Sequence, residues 1–141
     1  MNDKATQTRP HFSFVLMHAA QAVGDQLEGA LNELGLSLAK QSALTQLAQA
    51  GEPLTLSDLA ARLSCVRSNI TQLVDRLEAD GLVRRVDDAS DRRSVRAELT
   101  PIGKEKQKAG ALAIESAQAQ LSGRISASDL SALESALGVF V

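Results

Sequence analysis

The stretch that decides the fold runs from Leu56 to Thr100 and reads LSDLAARLSCVRSNITQLVDRLEADGLVRRVDDASDRRSVRAELT. It predicts a short helix from Asp58 to Leu63, a tight turn, a second helix from Arg67 to Ala79, and then a β-hairpin. The second helix is predicted because apolar residues recur at the three- and four-residue spacing of an amphipathic helix. These apolar residues are Ile70, Leu73, Val74 and Leu77.

The opposite face of this second helix carries hydrogen-bonding side chains. Side chains of this kind read base edges and contact phosphates when a helix enters a DNA major groove. We expect base or nearby phosphate contacts from four of them and a phosphate contact from Arg76; an ordinary solvated helix face is the alternative. The polar set is Arg67, Ser68, Asn69, Thr71, Gln72 and Arg76, and the four are Ser68, Asn69, Thr71 and Gln72.

The hairpin predicts a wing with a basic tip. Its strands are predicted at residues 82–86 and 92–99, around a turn at residues 87–91. We expect Arg92 or Arg93 to enter a minor groove or contact the DNA backbone, with Asp91 orienting it through a charge-assisted pair. Arg84, Arg85 and Arg96 are weaker candidates for phosphate contacts, and Asp75 is a candidate partner of Arg76.

Long helices are predicted on both sides of this segment. The chain divides into a disordered tail at residues 1–9, a helical dimerisation region at residues 10–36 and 100–141, and a winged helix-turn-helix at residues 37–99. The flanking helices are apolar on more than one side. Because large exposed apolar patches usually mark interfaces, the sequence predicts a two-fold dimer.

Composition agrees with a mainly α protein that carries a small β-hairpin. The chain has 141 residues, is 44% hydrophobic, and contains no Trp or Tyr and only one Cys. The single Cys excludes an internal disulfide framework, and the polar start and the lack of a long apolar run favour a cytoplasmic protein without membrane segments. The net charge is −2, but residues 62–96 hold eight Arg and six acidic residues, which is compatible with DNA binding because charge distribution matters more than the sum.

Several separate motifs together resemble the MarR family of bacterial transcription regulators. They are Leu56-Ser57-Asp58-Leu59-Ala60, Leu73-Val74-Asp75-Arg76-Leu77-Glu78, Asp80-Gly81-Leu82-Val83, Asp91-Arg92-Arg93, and Leu99-Thr100 followed by Gly103. The resemblance implies a winged helix-turn-helix homodimer that binds a pseudo-palindromic operator in double-stranded DNA, usually as a repressor. It also implies release by a small aromatic or phenolic ligand.

The resemblance suggests a ligand pocket where the dimerisation and DNA-binding regions meet. Its candidate lining residues are His11, Phe12, Phe14 and His18, for which core packing is the alternative. The chain departs from the family pattern at Ser64, where Gly is common, and at Val66, which cannot cap a helix.

Cys65 lies in the predicted turn and invites a redox hypothesis. A reactive thiol needs access and a lowered pKa, whereas a free Cys commonly packs as a small hydrophobe, which is the preferred interpretation here. Two histidines without acidic neighbours make a poor metal site, and we predict no metal, no cofactor and no enzymatic activity. The alternatives to a ligand-released regulator are a protein-interaction module without DNA binding and a redox-switched regulator that uses Cys65.

Overall fold

The computed structural model describes residues 11–63, 69–88 and 90–141, and the backbone but not the side chains of residues 92 and 93. Six α-helices and three β-strands follow one another along these residues, and a short 3-10 turn ends them. They are α1 Phe12–Asn32, α2 Leu38–Ala50, β1 Leu54–Thr55, α3 Leu56–Arg62, α4 Ile70–Ala79, β2 Val83–Asp88, β3 Asp91–Leu99, α5 Pro101–Ser122, α6 Ala127–Leu137 and the 3-10 turn Gly138–Phe140. The predicted mainly α fold with a small β-hairpin wing is confirmed.

The three strands form one antiparallel sheet in the order β1-β3-β2. Leu54 lies opposite Ala97 and Val83 lies opposite Leu99. The two-residue strand before α3 therefore pairs with the wing, and β2 is an edge strand.

The helix ends follow local chemistry that is visible in the sequence. Thr55 and Thr100 each accept a hydrogen bond from the backbone N–H three residues ahead, so they cap α3 and α5. Gly81, just after α4, has a φ of 74°, a left-handed conformation that favours glycine. These residues therefore set the starts of α3 and α5 and the end of α4.

Several predicted boundaries were wrong. The second helix of the motif begins at Ile70, because Asn69 adopts an extended conformation and caps it. The first helix begins at Leu56 rather than Asp58, because Thr55 caps it. The wing strands also extend to Asp88 and start again at Asp91, so the turn is shorter than predicted.

The core lies beneath the sheet and between helices α2 to α4. Leu44, Leu59, Val74 and Leu77 are completely buried there. The burial of Val74 and Leu77 confirms the predicted apolar stripe of α4. By contrast, Leu31 is the one buried residue of α1 within this chain.

Helix α5 is joined closely to the end of α4. Thr100 donates through its hydroxyl to the Gly81 carbonyl at 2.6 Å and through its backbone N–H to the Leu82 carbonyl at 3.1 Å. A Cβ on Gly103 would lie 1.9 Å from the Leu82 carbonyl oxygen. Glycine is therefore required at position 103 for this approach of helix to loop.

Candidate nucleic-acid interface

The outer face of α4 brings together four of the eight residues predicted to contact DNA. Asn69, Thr71, Gln72 and Arg76 are all exposed, whereas Leu73, Val74 and Leu77 are buried on the other side. Asn69, Gln72 and Arg76 also line a hollow of about 240 Å³ together with Lys40 of α2 and with Ser37, which caps that helix. One side of α4 therefore supports the fold and the other presents amide, hydroxyl and guanidinium groups to solvent.

Asn69 caps α4 in addition to its predicted role in contacting DNA. Its side-chain oxygen accepts a hydrogen bond from the Gln72 backbone N–H at 3.3 Å. The cap satisfies one of the N–H groups that a helix start leaves without an intrahelical partner. The cap leaves the NH₂ group of Asn69 as a donor for a DNA contact, and the oxygen keeps a second lone pair.

Four of the eight predicted DNA-contact residues, and the candidate redox residue, fall where side chains are not described. Arg67, Ser68 and the candidate redox residue Cys65 lie in residues 64–68, outside the described residues. The backbone of Arg92 and Arg93 belongs to β3, and Asp91 begins that strand opposite Asp88. The predicted DNA contacts of these arginines and the predicted role of Asp91 remain predictions.

The wing arginines that sequence reasoning ranked as weaker phosphate candidates are engaged in ion pairs. Arg84 pairs with Glu98 across the two strands. Arg85 contacts Asp75 at 2.5 Å and Glu78 at 3.0 Å. The interpretation of Asp75 as a partner of Arg76 was therefore wrong, because the carboxylate is taken by an arginine that the turn at Gly81 brings alongside α4.

Arg96 is held by the hairpin turn. The Asp88 carboxylate accepts hydrogen bonds from the Ser90 backbone N–H at 3.0 Å, from the Ser90 hydroxyl at 2.8 Å, and from two guanidinium nitrogens of Arg96 at 3.1 Å. These bonds, those from Ser90 first, lower the pKa of Asp88. Arg96 also donates to the Pro53 carbonyl at 3.3 Å, so the hairpin tip is tied to the segment before β1.

The predicted ligand-pocket residues lie on the exposed part of α1. His11, Phe14 and His18 line an open hollow along that helix, and Phe12 lies outside this lining. A single helix offers one wall only, so a closed pocket there would need a second surface. The pocket remains a prediction.

A better enclosed cavity, which sequence reasoning missed, lies between α2, β3 and α5. Its volume is about 380 Å³, and Lys104 and Lys108 stand beside apolar groups such as Leu47, Pro53 and Leu99. The spacing of the two lysines on α5 was visible in the sequence, but the apolar wall comes from distant segments. Among the described residues, no three His, Cys, Asp or Glu side chains are grouped so that they could hold a metal ion, and no helix there is long and apolar enough to cross a bilayer.

The known proteins that this chain resembles are described as transcriptional regulators. Residues 36–95 match the model of the MarR family. An uncharacterised HTH-type transcriptional regulator of Bacillus subtilis, YsmB, is 32% identical over 88 residues, which are 62% of this chain and 60% of that protein. The chain thus spans less than two thirds of the length of this relative.

Solved structures extend the likeness to nearly the whole chain. A mutant MarR from E. coli, complexed with operator DNA, has a TM-score of 0.77 and 22% identity over 99% of both chains. The transcriptional repressor CouR, bound to a 23-mer DNA duplex, has a TM-score of 0.79 and 25% identity over 92% of this chain and 91% of its own. MarR-family regulators are DNA-binding proteins rather than enzymes, in line with the prediction of no enzymatic activity. Residues 36–95 therefore match the model of the MarR family, within a chain whose fold is that of solved MarR-family regulators.

Proposed function

We propose that this protein is a sequence-specific, DNA-binding transcriptional repressor that acts as a homodimer on a pseudo-palindromic operator. The observation that carries the proposal is α4, which buries Leu73, Val74 and Leu77 and exposes Thr71, Gln72 and Arg76. A helix placed in this way at the edge of a winged domain matches the major-groove docking of helix-turn-helix proteins. Two solved structures of the same fold are bound to DNA, and one of them is named a repressor.

The exposed apolar side chains of the flanking helices support the homodimer. Phe14 and Met17 of α1 are each 68% exposed, and Phe140 near the carboxyl end is 62% exposed. In a two-fold dimer these surfaces would cover one another, and the two copies of α4 would lie about one DNA turn apart, roughly 10 bp centre to centre. The wings would then reach the flanking minor grooves through Arg92 or Arg93.

A small effector would release the DNA by favouring a dimer geometry that no longer fits the two half-sites. Two places are open to it. One is the α1 hollow, where a partner copy would supply the missing wall for His11, Phe14 and His18. The other is the cavity that Lys104 and Lys108 line together with Glu52 and Glu98, where the apolar wall would hold an aromatic ring and a lysine would pair with its acid group.

The test is a selection of bound duplexes from a random DNA pool at near-physiological salt. We expect the native protein to enrich a two-fold symmetric motif and a Gln72→Ala, Arg76→Ala variant to lose this enrichment. The matched control, Gln49→Ala with Arg124→Ala, removes the same two side-chain types from exposed positions on α2 and in the turn after α5 and is expected to enrich the native motif.

Failure of the native protein to enrich any duplex would favour the alternative of a protein-interaction module without DNA binding. A redox-switched regulator is tested separately with a Cys65→Ser variant. If peroxide releases DNA from the native protein and equally from that variant, the thiol is not the switch.

A further inference from the structure

Arg85 connects the proposed recognition helix to the wing. Its guanidinium lies between two carboxylates of α4, with Nη2 at 2.5 Å from Asp75 Oδ1 and Nη1 at 3.0 Å from Glu78 Oε1. Asp75 and Glu78 are three residues apart, so they lie on the same side of the helix. The planar fork of an arginine can hold two carboxylates at once, which a lysine ammonium cannot do with the same geometry.

The backbone of Arg85 takes part in the same connection. Its N–H donates to Glu78 Oε2 at 3.1 Å. Because β2 is the edge strand of the sheet, N–H groups on its outer side have no strand partner. The Glu78 carboxylate thus accepts hydrogen bonds from both the backbone and the side chain of Arg85. With the bond to Asp75, three hydrogen bonds fix α4 to β2.

Because Asp75 and Glu78 pair with the Arg85 guanidinium, it is less available to bind a DNA phosphate. Its side chain is 27% exposed, whereas that of Arg84, one residue earlier on the same strand, is 68% exposed. The hydrogen bond to Asp75, opposed by some burial and helped by Glu78, raises the pKa of Arg85 above its ordinary value. A guanidinium with two carboxylate partners has little net charge to offer a DNA backbone.

We propose that Arg85 is a positioning residue, which holds the recognition helix at a fixed angle to the wing so that both reach their grooves together. The proposal rests on the proposed function. A helix in one groove and a hairpin tip in the next must be set in relative position before binding, since ordering them on the DNA would reduce the affinity. The carboxyl end of α4, next to these two carboxylates, is also held through Gly81 and Thr100, so loss of Arg85 is expected to loosen an angle rather than unfold the domain.

The experiment measures binding of the full chain to the selected operator duplex and to an unrelated duplex, each over a range of salt. For Arg85→Ala we expect operator affinity to fall about tenfold, with a much smaller loss for the unrelated duplex, which comes from the two carboxylates left unpaired. The slope of log affinity against log salt should not change. A lost phosphate contact would instead reduce that slope by about one and weaken binding to both duplexes equally.

A second variant makes the two explanations predict opposite signs. Asp75→Asn with Glu78→Gln leaves Arg85 in place and removes two negative charges. If Arg85 served as a phosphate ligand, this variant would bind the operator more tightly than the native protein. A positioning role predicts weaker operator binding, stronger binding to the unrelated duplex, and no further loss when Arg85→Ala is added.

Arg84→Ala is the matched control, because it removes a neighbouring arginine and an ion pair that joins the two wing strands but does not reach α4. We expect its ratio of operator affinity to unrelated-duplex affinity to stay within about twofold of the native ratio, because a phosphate contact by Arg84 would weaken binding to both duplexes alike. Equal losses of this ratio for Arg84→Ala and Arg85→Ala would overturn the proposal, and thermal unfolding of each variant checks that the fold is kept. If the native protein enriches no duplex, the proposed function fails; if it enriches one and Arg85→Ala binds it normally, only this inference fails.

Discussion

Apolar side chains are largely buried in the winged domain, residues 37–99, and largely exposed on the helices that flank it. In the winged domain Leu44, Leu59 and Val74 have no exposed surface. In α1 and at the carboxyl end, Phe14 and Val139 are 68% and 78% exposed. The first region closes its core within one chain, whereas the second leaves a surface that a monomer would expose to water. This difference separates residues that determine stability from residues that we expect to determine assembly.

The largest effect is expected where α5 meets the winged domain. Gly103→Ala would place a Cβ 1.9 Å from a backbone oxygen of Leu82, which cannot move without displacing the end of α4. We expect the free energy of unfolding to fall by about 3 kcal/mol or more, measured by urea denaturation. Gly29→Ala in α1, where nothing lies within 4 Å, should instead raise stability by about 0.5–1 kcal/mol. Similar outcomes for both would contradict the close contact at Gly103.

Truncating leucines compares the two regions directly. Leu44→Ala opens a cavity in a completely buried site and is expected to cost about 2–5 kcal/mol. Leu112→Ala removes a side chain that is 66% exposed in one chain, so at protein concentrations where the chain is monomeric it should cost less than about 1 kcal/mol. Denaturation at several protein concentrations measures both. A large, concentration-independent cost for Leu112→Ala would show that it packs within its own chain.

A charge introduced on α1 tests the predicted dimer without changing the core of the chain. Phe14→Glu places a carboxylate among the exposed apolar groups of α1, and we expect it to weaken dimerisation by about tenfold or more. Sedimentation over a dilution series measures this effect. Gln49→Glu, an exposed change on α2, is the control and should leave the association unchanged. An unaffected dimer in Phe14→Glu would place the interface elsewhere.

The smallest effect concerns pH and the hairpin turn. Because the pKa of Asp88 is lowered in the folded protein, its bonds to Ser90 and Arg96 stabilise the fold above the ordinary aspartate pKa of about 3.9. This contribution is lost as the pH falls through the lower, folded pKa. We expect Asp88→Asn to unfold at a slightly lower temperature than the native protein at pH 7, with the gap closing toward pH 3. A gap that persists at low pH would assign the difference to something other than this carboxylate.

Much of the fold was predictable because it depends on neighbours in the chain. The apolar spacing from Ile70 to Leu77 set the buried face of α4, and Thr55, Thr100 and Gly81 fixed helix ends through bonds to residues at most four positions away. The exposed polar face of α4 follows from the same periodicity. For the candidate DNA-binding site, this made Thr71, Gln72 and Arg76 readable from sequence alone.

The start of α4 was misjudged for a local reason as well. A polar residue such as Asn69 is compatible with the first turn of a helix or with a cap just before it. The cap prevailed because the side-chain oxygen satisfies the Gln72 backbone N–H. Periodicity alone does not distinguish these two positions, since both precede the first buried residue.

Only the tertiary structure decided which arginines form ion pairs and where α5 can pack closely against the other elements. Arg85 pairs with Asp75, ten residues away, and Arg96 pairs with Asp88 across the hairpin. Gly110 lies so close to the buried Gln41 that a Cβ on the glycine would be 2.1 Å from the amide oxygen of Gln41. Periodicity and capping report on interactions within one or two helical turns, so they determined the elements and their buried faces. Ion pairing and packing clearance depend on how separate elements meet in space, and no local pattern in the sequence records that.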